Sequence, residues 1–187
     1  ALATVNHPTR KGDVVALQGG GPFAANDELD REILTAARAG RVVVLPTADA
    51  FEHPERLVAA AMNWAERMGD DIDVEALMVL RRGEALEQAA GNVVRGARAV
   101  YLVGDQPLHL RSVLKDTPVW DALHDVLSDG GAGVACGGAA AALCDPMVDP
   151  RGGAFTLGLG LLPGMAVIPA HDHWSEDAAH RTRKMSP

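Results

Sequence analysis

At 187 residues, with 48% hydrophobic and 22% charged residues, the sequence has the size and composition of one globular domain that can bury a core without disulfides or metals. No run approaches the roughly twenty apolar residues of a membrane-spanning helix. A formal net charge of −8 with scattered basic residues argues against a nucleic-acid partner. Residues 1–13 are polar and mixed, lack the basic-then-apolar order of a secretory signal, and are read as a loose N-terminal arm. Residues 14–187 are read as a single α/β domain, expected in the cytoplasm with Cys136 and Cys144 reduced.

Short β-branched runs alternate with helical patterns along the chain, which is the sign of βαβ units around a buried parallel sheet. Val14-Val15-Ala16-Leu17 opens the series and breaks at Gly19-Gly20-Gly21-Pro22. Asn26 is the expected N-cap of a helix through Leu29, Ile33, Leu34 and Ala37 that stops at Gly40. The strand Val42-Val43-Val44-Leu45 follows and ends at Pro46. Leu57, Val58, Ala61, Met62 and Ala65 recur at helical spacing between Pro54 and Met68, and Gly69 closes that segment.

Residues 74–79 are then read as a strand and 84–90 as a weak helix. Ala99-Val100-Tyr101-Leu102-Val103 forms the next strand and ends at Gly104-Asp105-Gln106. Thr117-Pro118 is an N-cap and first-turn pair for a helix to Leu127, which Gly130 and Gly131 end. Finally Gly133-Val134-Ala135-Cys136 meets Gly137-Gly138 and the small-residue run 139–143, so a strand turns abruptly into a helix. Val167-Ile168 is read as one more strand, ahead of His171-Asp172-His173-Trp174.

Ligands of open parallel sheets bind outside the carboxyl ends of the strands, where loops and helix starts converge. The chemically suggestive segments all fall there. A strand-to-helix elbow exposes its central residue and aims the following N–H groups at a developing oxyanion, so a Cys136 thiol at its apex is expected to have a lowered pKa. The alternative is a small buried cysteine that ends a core strand. His171 or His173 is a candidate base. One His-x-His pair without a spaced third partner does not make a metal site, and no metal is expected. Asp145 and Asp149 are either turn formers or the group that orients a histidine. Glycines 19–21 admit a ligand to the backbone, yet they have neither the Walker ending nor the Rossmann spacing, so a nucleotide is not indicated.

Taken in order, these pieces resemble the dipeptidase E and cyanophycinase serine peptidases of the class I glutamine amidotransferase-like superfamily. The likeness runs from about Val14 to Met185 and is carried by Gly19-Gly20-Gly21, Pro46-Thr47-Ala48, Tyr101-Leu102-Val103-Gly104-Asp105-Gln106, the elbow, the segment 145–153, Gly158-Leu159-Gly160-Leu161 and Arg181-Thr182-Arg183. The resemblance implies a flavodoxin-like three-layer sandwich with a mostly parallel sheet, and cleavage of aspartyl peptides or related amides without a cofactor. Members carry a nucleophilic serine in a Gly-x-Ser-Ala-Gly-Ala elbow and a histidine after a later proline. This sequence departs at both places. Its elbow has no serine, and either Gly137 or Cys136 falls at the serine slot according to register, while Pro169-Ala170 stands where Pro-His is usual.

Two main readings follow. The first is a hydrolase with Cys136 as replacement nucleophile, His171 as base and Asp149 or Asp145 as orienter. Gly137 and Gly104 would be its oxyanion donors, with Gly20, Asp105, Gln106, Gly138 and Arg181 completing the binding site. The second is a catalytically inactive relative that keeps the cleft as a binding module. A third, a thiol stress protein like the DJ-1 relatives, needs a carboxylate beside Cys136, and Glu28 and Asp49 are the candidates. The ligand expected in the first two cases is a small peptide or amino-acid derivative. An acidic one would suit Arg151, Arg181 and Arg183. Exposed helix faces permit a homodimer without demanding one.

Overall fold

Alternation within the apolar runs decides the architecture. Val42 and Val44 pack to one side of the sheet with Ala99, Tyr101, Ala132 and Val134, whereas Val43, Leu45, Val100, Leu102 and Ala135 pack to the other. Both faces must therefore be covered by helices. The computed structural model describes residues 2–3 and 13–170. Its strands are β1 (Leu2–Ala3), β2 (Val14–Gln18), β3 (Arg41–Leu45), β4 (Asp73–Ala76), β5 (Ala99–Leu102) and β6 (Ala132–Cys136). They lie in the order β1-β2-β6-β5-β3-β4, all parallel except β1. Residues 2–3, read as part of a loose arm, pair antiparallel with β2, Leu2 opposite Ala16 and Ala3 opposite Val15.

Helices α1 (Asp27–Ala37) and α2 (Pro54–Met68) cover one face. On the other lie α3 (Arg82–Ala85), α4 (Gln88–Arg95), α5 (Pro107–Leu114), α6 (Pro118–Ser128) and α7 (Gly138–Leu143). The three-layer α/β sandwich with a mostly parallel sheet is thus the observed fold. Under α1 and α2, Trp64, Tyr101 and Phe23 stack in a tilted trio with ring centroids 5.2 to 5.5 Å apart. Fully burying such side chains stabilises the fold by roughly 1.5–3 kcal/mol each.

Several elements differ from the sequence reading. The single weak helix is two, α3 and α4, because the Glu84 carboxylate accepts from the N–H groups of Leu80 (2.7 Å) and Arg81 (3.0 Å) and so starts a separate turn. The third strand stops at Ala76. Beyond it Leu77 N–H still reaches the Val44 carbonyl, and the Val79 carbonyl takes the Thr47 hydroxyl at 2.7 Å. Helix α5 was not read from the sequence, although Pro107 at its first turn and Leu110, Val113 and Leu114 at helical spacing announce it. Residues 167–168 form no strand. Short pairings complete the described chain, β7 (Cys144–Asp145) beside β10 (Leu162–Pro163) and β8 (Met147–Val148) beside β9 (Phe155–Thr156).

The strand order positions the site. Register sets Gln18 opposite Cys136, so the glycine loop after β2 and the elbow after β6 are neighbours, and the loop after β5 flanks the elbow on its other side.

Candidate functional site

At the carboxyl ends of β2, β5 and β6 a cleft of about 570 Å³ opens between glycines 19–21, Asp105, Gly137 and residues 167–170. Its floor is the elbow. Strand β6 ends at Cys136, Gly137 takes φ 64° and ψ −132°, and α7 begins at Gly138. A positive φ of this kind strains any residue with a Cβ, and it marks the apex of the turn. Of the two registers left open by the sequence, the structure therefore puts Gly137 at the apex. The apex carries no side chain.

Cys136 is one residue short of that position, and strand alternation turns it into the layer beneath α1 and α2. Only 2% of it is exposed, and its thiol donates to Gln18 Oε1 at 3.2 Å. Burial above all, with the charge of Asp30 adding to it, pushes the thiol up to about 12. The lowered pKa expected for an elbow cysteine is thus reversed, because desolvation penalises the thiolate more than the helix start can favour it.

Below Cys136 runs a buried polar chain. Gln18 Nε2 donates to Asp30 Oδ1 at 2.6 Å, the Tyr101 hydroxyl donates to the same oxygen at 2.9 Å, and Trp64 Nε1 donates to Oδ2 at 2.9 Å. Asp30 is fully buried, and desolvation raises its pKa against the pull of the three donors. The acidic group coupled to Cys136 is consequently Asp30, bridged by Gln18. Glu28 is exposed on α1, and Asp49 lies toward Asp105.

The oxyanion arrangement is also rearranged. Gly137 N–H, expected to face an oxyanion, donates to the Gln18 carbonyl at 3.1 Å. Gly138 N–H, the first donor past the apex, is taken by Asp105 Oδ1 at 3.2 Å. Gly104 closes β5 with its carbonyl accepting from Ala139 N–H at 3.0 Å, and Gln106 N–H donates to the Ala48 carbonyl at 2.9 Å where α5 begins. Gly20 lines the cleft. Asn26 is the N-cap of α1, as expected, and its carbonyl accepts from Asp30 N–H at 2.8 Å; its side chain makes no capping bond but sends its N–H to the Gly19 carbonyl at 2.8 Å and ties the glycine loop to the start of α1.

Asp149 is held within its own turn. Its carboxylate accepts from Arg151 N–H at 2.9 Å and from Arg151 Nη2 at 2.8 Å, which keeps its pKa below the ordinary carboxylate range. The same pair occupies the Arg151 guanidinium that was a candidate for a ligand carboxylate. His171 and Arg181 lie outside the described residues. Gln18 and Asp30 were not singled out in the sequence, though signals existed. Gln18 is a polar residue ending an apolar strand, and Asp30 falls on the stripe of Ile33, Leu34 and Ala37.

Among the described residues no group of three or more His, Cys, Asp or Glu is placed to hold a metal ion, and no helix is long and apolar enough to cross a membrane. No protein-family model and no curated protein matches the sequence. Solved structures do. A peptidase from an acI-B1 Actinobacterium superposes with a TM-score of 0.81 at 24% identity, over 90% of this chain and 74% of that one. A putative peptidase E protein from Listeria monocytogenes EGD-e superposes with a TM-score of 0.63 at 18% identity, over 91% of this chain and 84% of that one. The chain has the fold of these peptidase structures. On this fold, glycine stands at the apex of the turn from β6 into α7.

Proposed function

We propose that the protein is a binding module on a peptidase fold, related to the dipeptidase E group, which receives a small peptide or amino-acid-derived ligand in the cleft and does not hydrolyse it from the elbow. The observation that carries this reading is Gly137 at the apex. A hydroxyl or thiol there would need a Cβ, and glycine has none. The cleft nonetheless persists beside it at a size that suits a dipeptide.

The cysteine-hydrolase reading asks more of the molecule. The Cys136 thiol would have to leave Gln18, emerge from the layer under α1, and ionise against burial that favours the neutral form. Nucleophilic catalysis needs the thiolate at the substrate carbonyl, so every one of those steps adds to the barrier.

The test pairs binding with turnover. A panel of dipeptides, aspartyl dipeptides included, is screened by thermal shift and by release of free amino acid, using the parent and Cys136→Ser. The binding reading expects peptides that raise the melting temperature with no release above background. Release that Cys136→Ser abolishes would overturn it in favour of the hydrolase.

A further inference from the structure

We infer that the protein carries a second ligand site at the pole of the sheet opposite the cleft, a cavity that takes a free α-amino acid with an apolar side chain. This site stands apart from the cleft and does not depend on what the cleft binds.

A cavity of about 560 Å³ opens between the second half of α1 and the turn that joins α2 to β4. Gly40, just ahead of β3, and Ile72, just ahead of β4, both line it, which puts it at the amino ends of the strands. Leu34 and Met68 give it an apolar floor. Arg31 and Arg38 lie seven positions apart, hence on one side of α1, and line the cavity together with Asp71 from the facing turn.

Arg38 is the feature that singles this cavity out. It follows the last residue of α1 and takes φ 51° and ψ 45°, the left-handed conformation that glycine ordinarily supplies at a helix end. An arginine is held there at a conformational cost, and its guanidinium has no hydrogen bond or ion pair among the described residues. Asp71 lines the same cavity and forms no ion pair with either arginine. Opposite charges that share a cavity without meeting leave room for a ligand that carries both signs.

The helix-end carbonyls that would repel a ligand carboxylate are already occupied. Those of Leu34 and Thr35 accept from Arg38 N–H, that of Ala37 accepts from Arg98 at 3.0 and 3.2 Å, and that of Arg67 accepts from Arg31 Nη2 at 3.2 Å. A carboxylate can therefore pair with the planar fork of Arg38, an ammonium group with Asp71, and an apolar side chain can cover Leu34 and Met68. Arg38 and Asp71 are exposed at the rim, so solvent screens both pairs and the affinity expected is millimolar.

Titration of the isotope-labelled protein with leucine, leucinamide and isocaproate, followed through backbone amide chemical shifts, tests the site. Leucine is expected to shift Arg38, Gly40 and Ile72 and to bind about fivefold tighter than either compound that lacks one charge. Added salt should weaken it. Arg38→Gly supplies the residue that this backbone prefers, so its melting temperature should rise while it no longer distinguishes leucine from leucinamide. Asp71→Asn should no longer distinguish leucine from isocaproate. Equal binding of the three compounds by the parent would overturn recognition of both charges. Shifts confined to glycines 19–21 and the elbow would put leucine in the cleft and overturn the second site, as would an Arg38→Gly variant that binds leucine like the parent. No shift at millimolar leucine would overturn it too, and would leave the cleft reading untouched.

Discussion

Asp105 and Gly137 compete for one place. A Cβ built on Gly137 would collide with Asp105 Oδ1, the oxygen that Gly138 N–H holds. The carboxylate therefore sits where a nucleophile's side chain would begin, and it does so without displacing the backbone of the elbow.

Substitutions at the two glycines should separate side-chain from backbone crowding. In Gly137→Ala the obstacle is the end of a side chain that can swing away, so the cost is that movement plus a strained φ, about 1–3 kcal/mol. In Gly138→Ala the Cβ would lie 2.5 Å from the backbone carbon and oxygen of Asp105, which cannot move without the loop, and the loss should be at least as large. Adding Asp105→Ala should relieve part of the first loss and none of the second. Urea unfolding of the two glycine variants, Asp105→Ala alone and the two double variants gives the coupling, and equal relief in both would show that the loop rather than the carboxylate sets the crowding.

Both cysteines should be inert in the native protein. Burial pushes the Cys144 thiol up to about 11 and the Cys136 thiol up to about 12, so at neutral pH each is a protonated and inaccessible thiol. Iodoacetamide followed by mass spectrometry is expected to give no adduct at pH 7 within the time that labels both sites fully in urea. The native rate should stay low up to about pH 9. Rapid single labelling at Cys136 near neutral pH would reverse this picture and restore a reactive elbow thiol.

Asp30 should make stability fall as pH rises. Its folded pKa lies above the value near 3.8 that it has when exposed, so between the two the native state holds more protons than the unfolded state. The stabilisation from the neutral form is complete below about pH 3.8 and is lost as pH rises through the folded pKa. Asp30→Asn lacks that titration. The stability difference between parent and Asp30→Asn, followed by urea unfolding from pH 4 to 7, should therefore narrow with rising pH. A difference that widens instead would mean that the donors from Gln18, Tyr101 and Trp64 outweigh desolvation.

The layers and most strand positions were legible because period-two burial and helical stripes are properties of local sequence. The register of the elbow was not. Whether Cys136 or Gly137 stands at its apex depends on where β6 stops, and that is set by pairing with β2 through Gln18, a contact between residues 118 positions apart. The capture of Gly138 N–H by Asp105 was invisible for the same reason, since Gly104-Asp105-Gln106 reads as a turn and only the adjacency of β5 and β6 brings it to the elbow. Asp30 was legible in principle, as an acid on an apolar stripe. Its three partners come from β2, β5 and α2, which no local pattern assembles.

Gln18 gives the sharpest test of that buried chain, because it is a donor to Asp30 and an acceptor from Cys136 at once. Gln18→Glu preserves shape and the acceptor but sets a second carboxyl against Asp30, at a position where Gln18 itself is 5% exposed. Two carboxylates that close cannot both ionise in a buried site, so the pair must hold a proton and the variant should pay for it at neutral pH. With that proton bound, the introduced carboxyl group donates to Asp30 much as the amide did. The variant is accordingly expected to lose about 3 kcal/mol at pH 7 and to recover most of it by pH 5, a steeper dependence than the parent's over the same range. Gln18→Leu removes both hydrogen bonds without adding charge and should be destabilised by about 1–3 kcal/mol with no such recovery. Unfolding curves of the two variants at pH 5 and 7 decide the matter. If Gln18→Glu is as stable as the parent at pH 7, the space between Cys136 and Asp30 is wet and the chain is not a buried one.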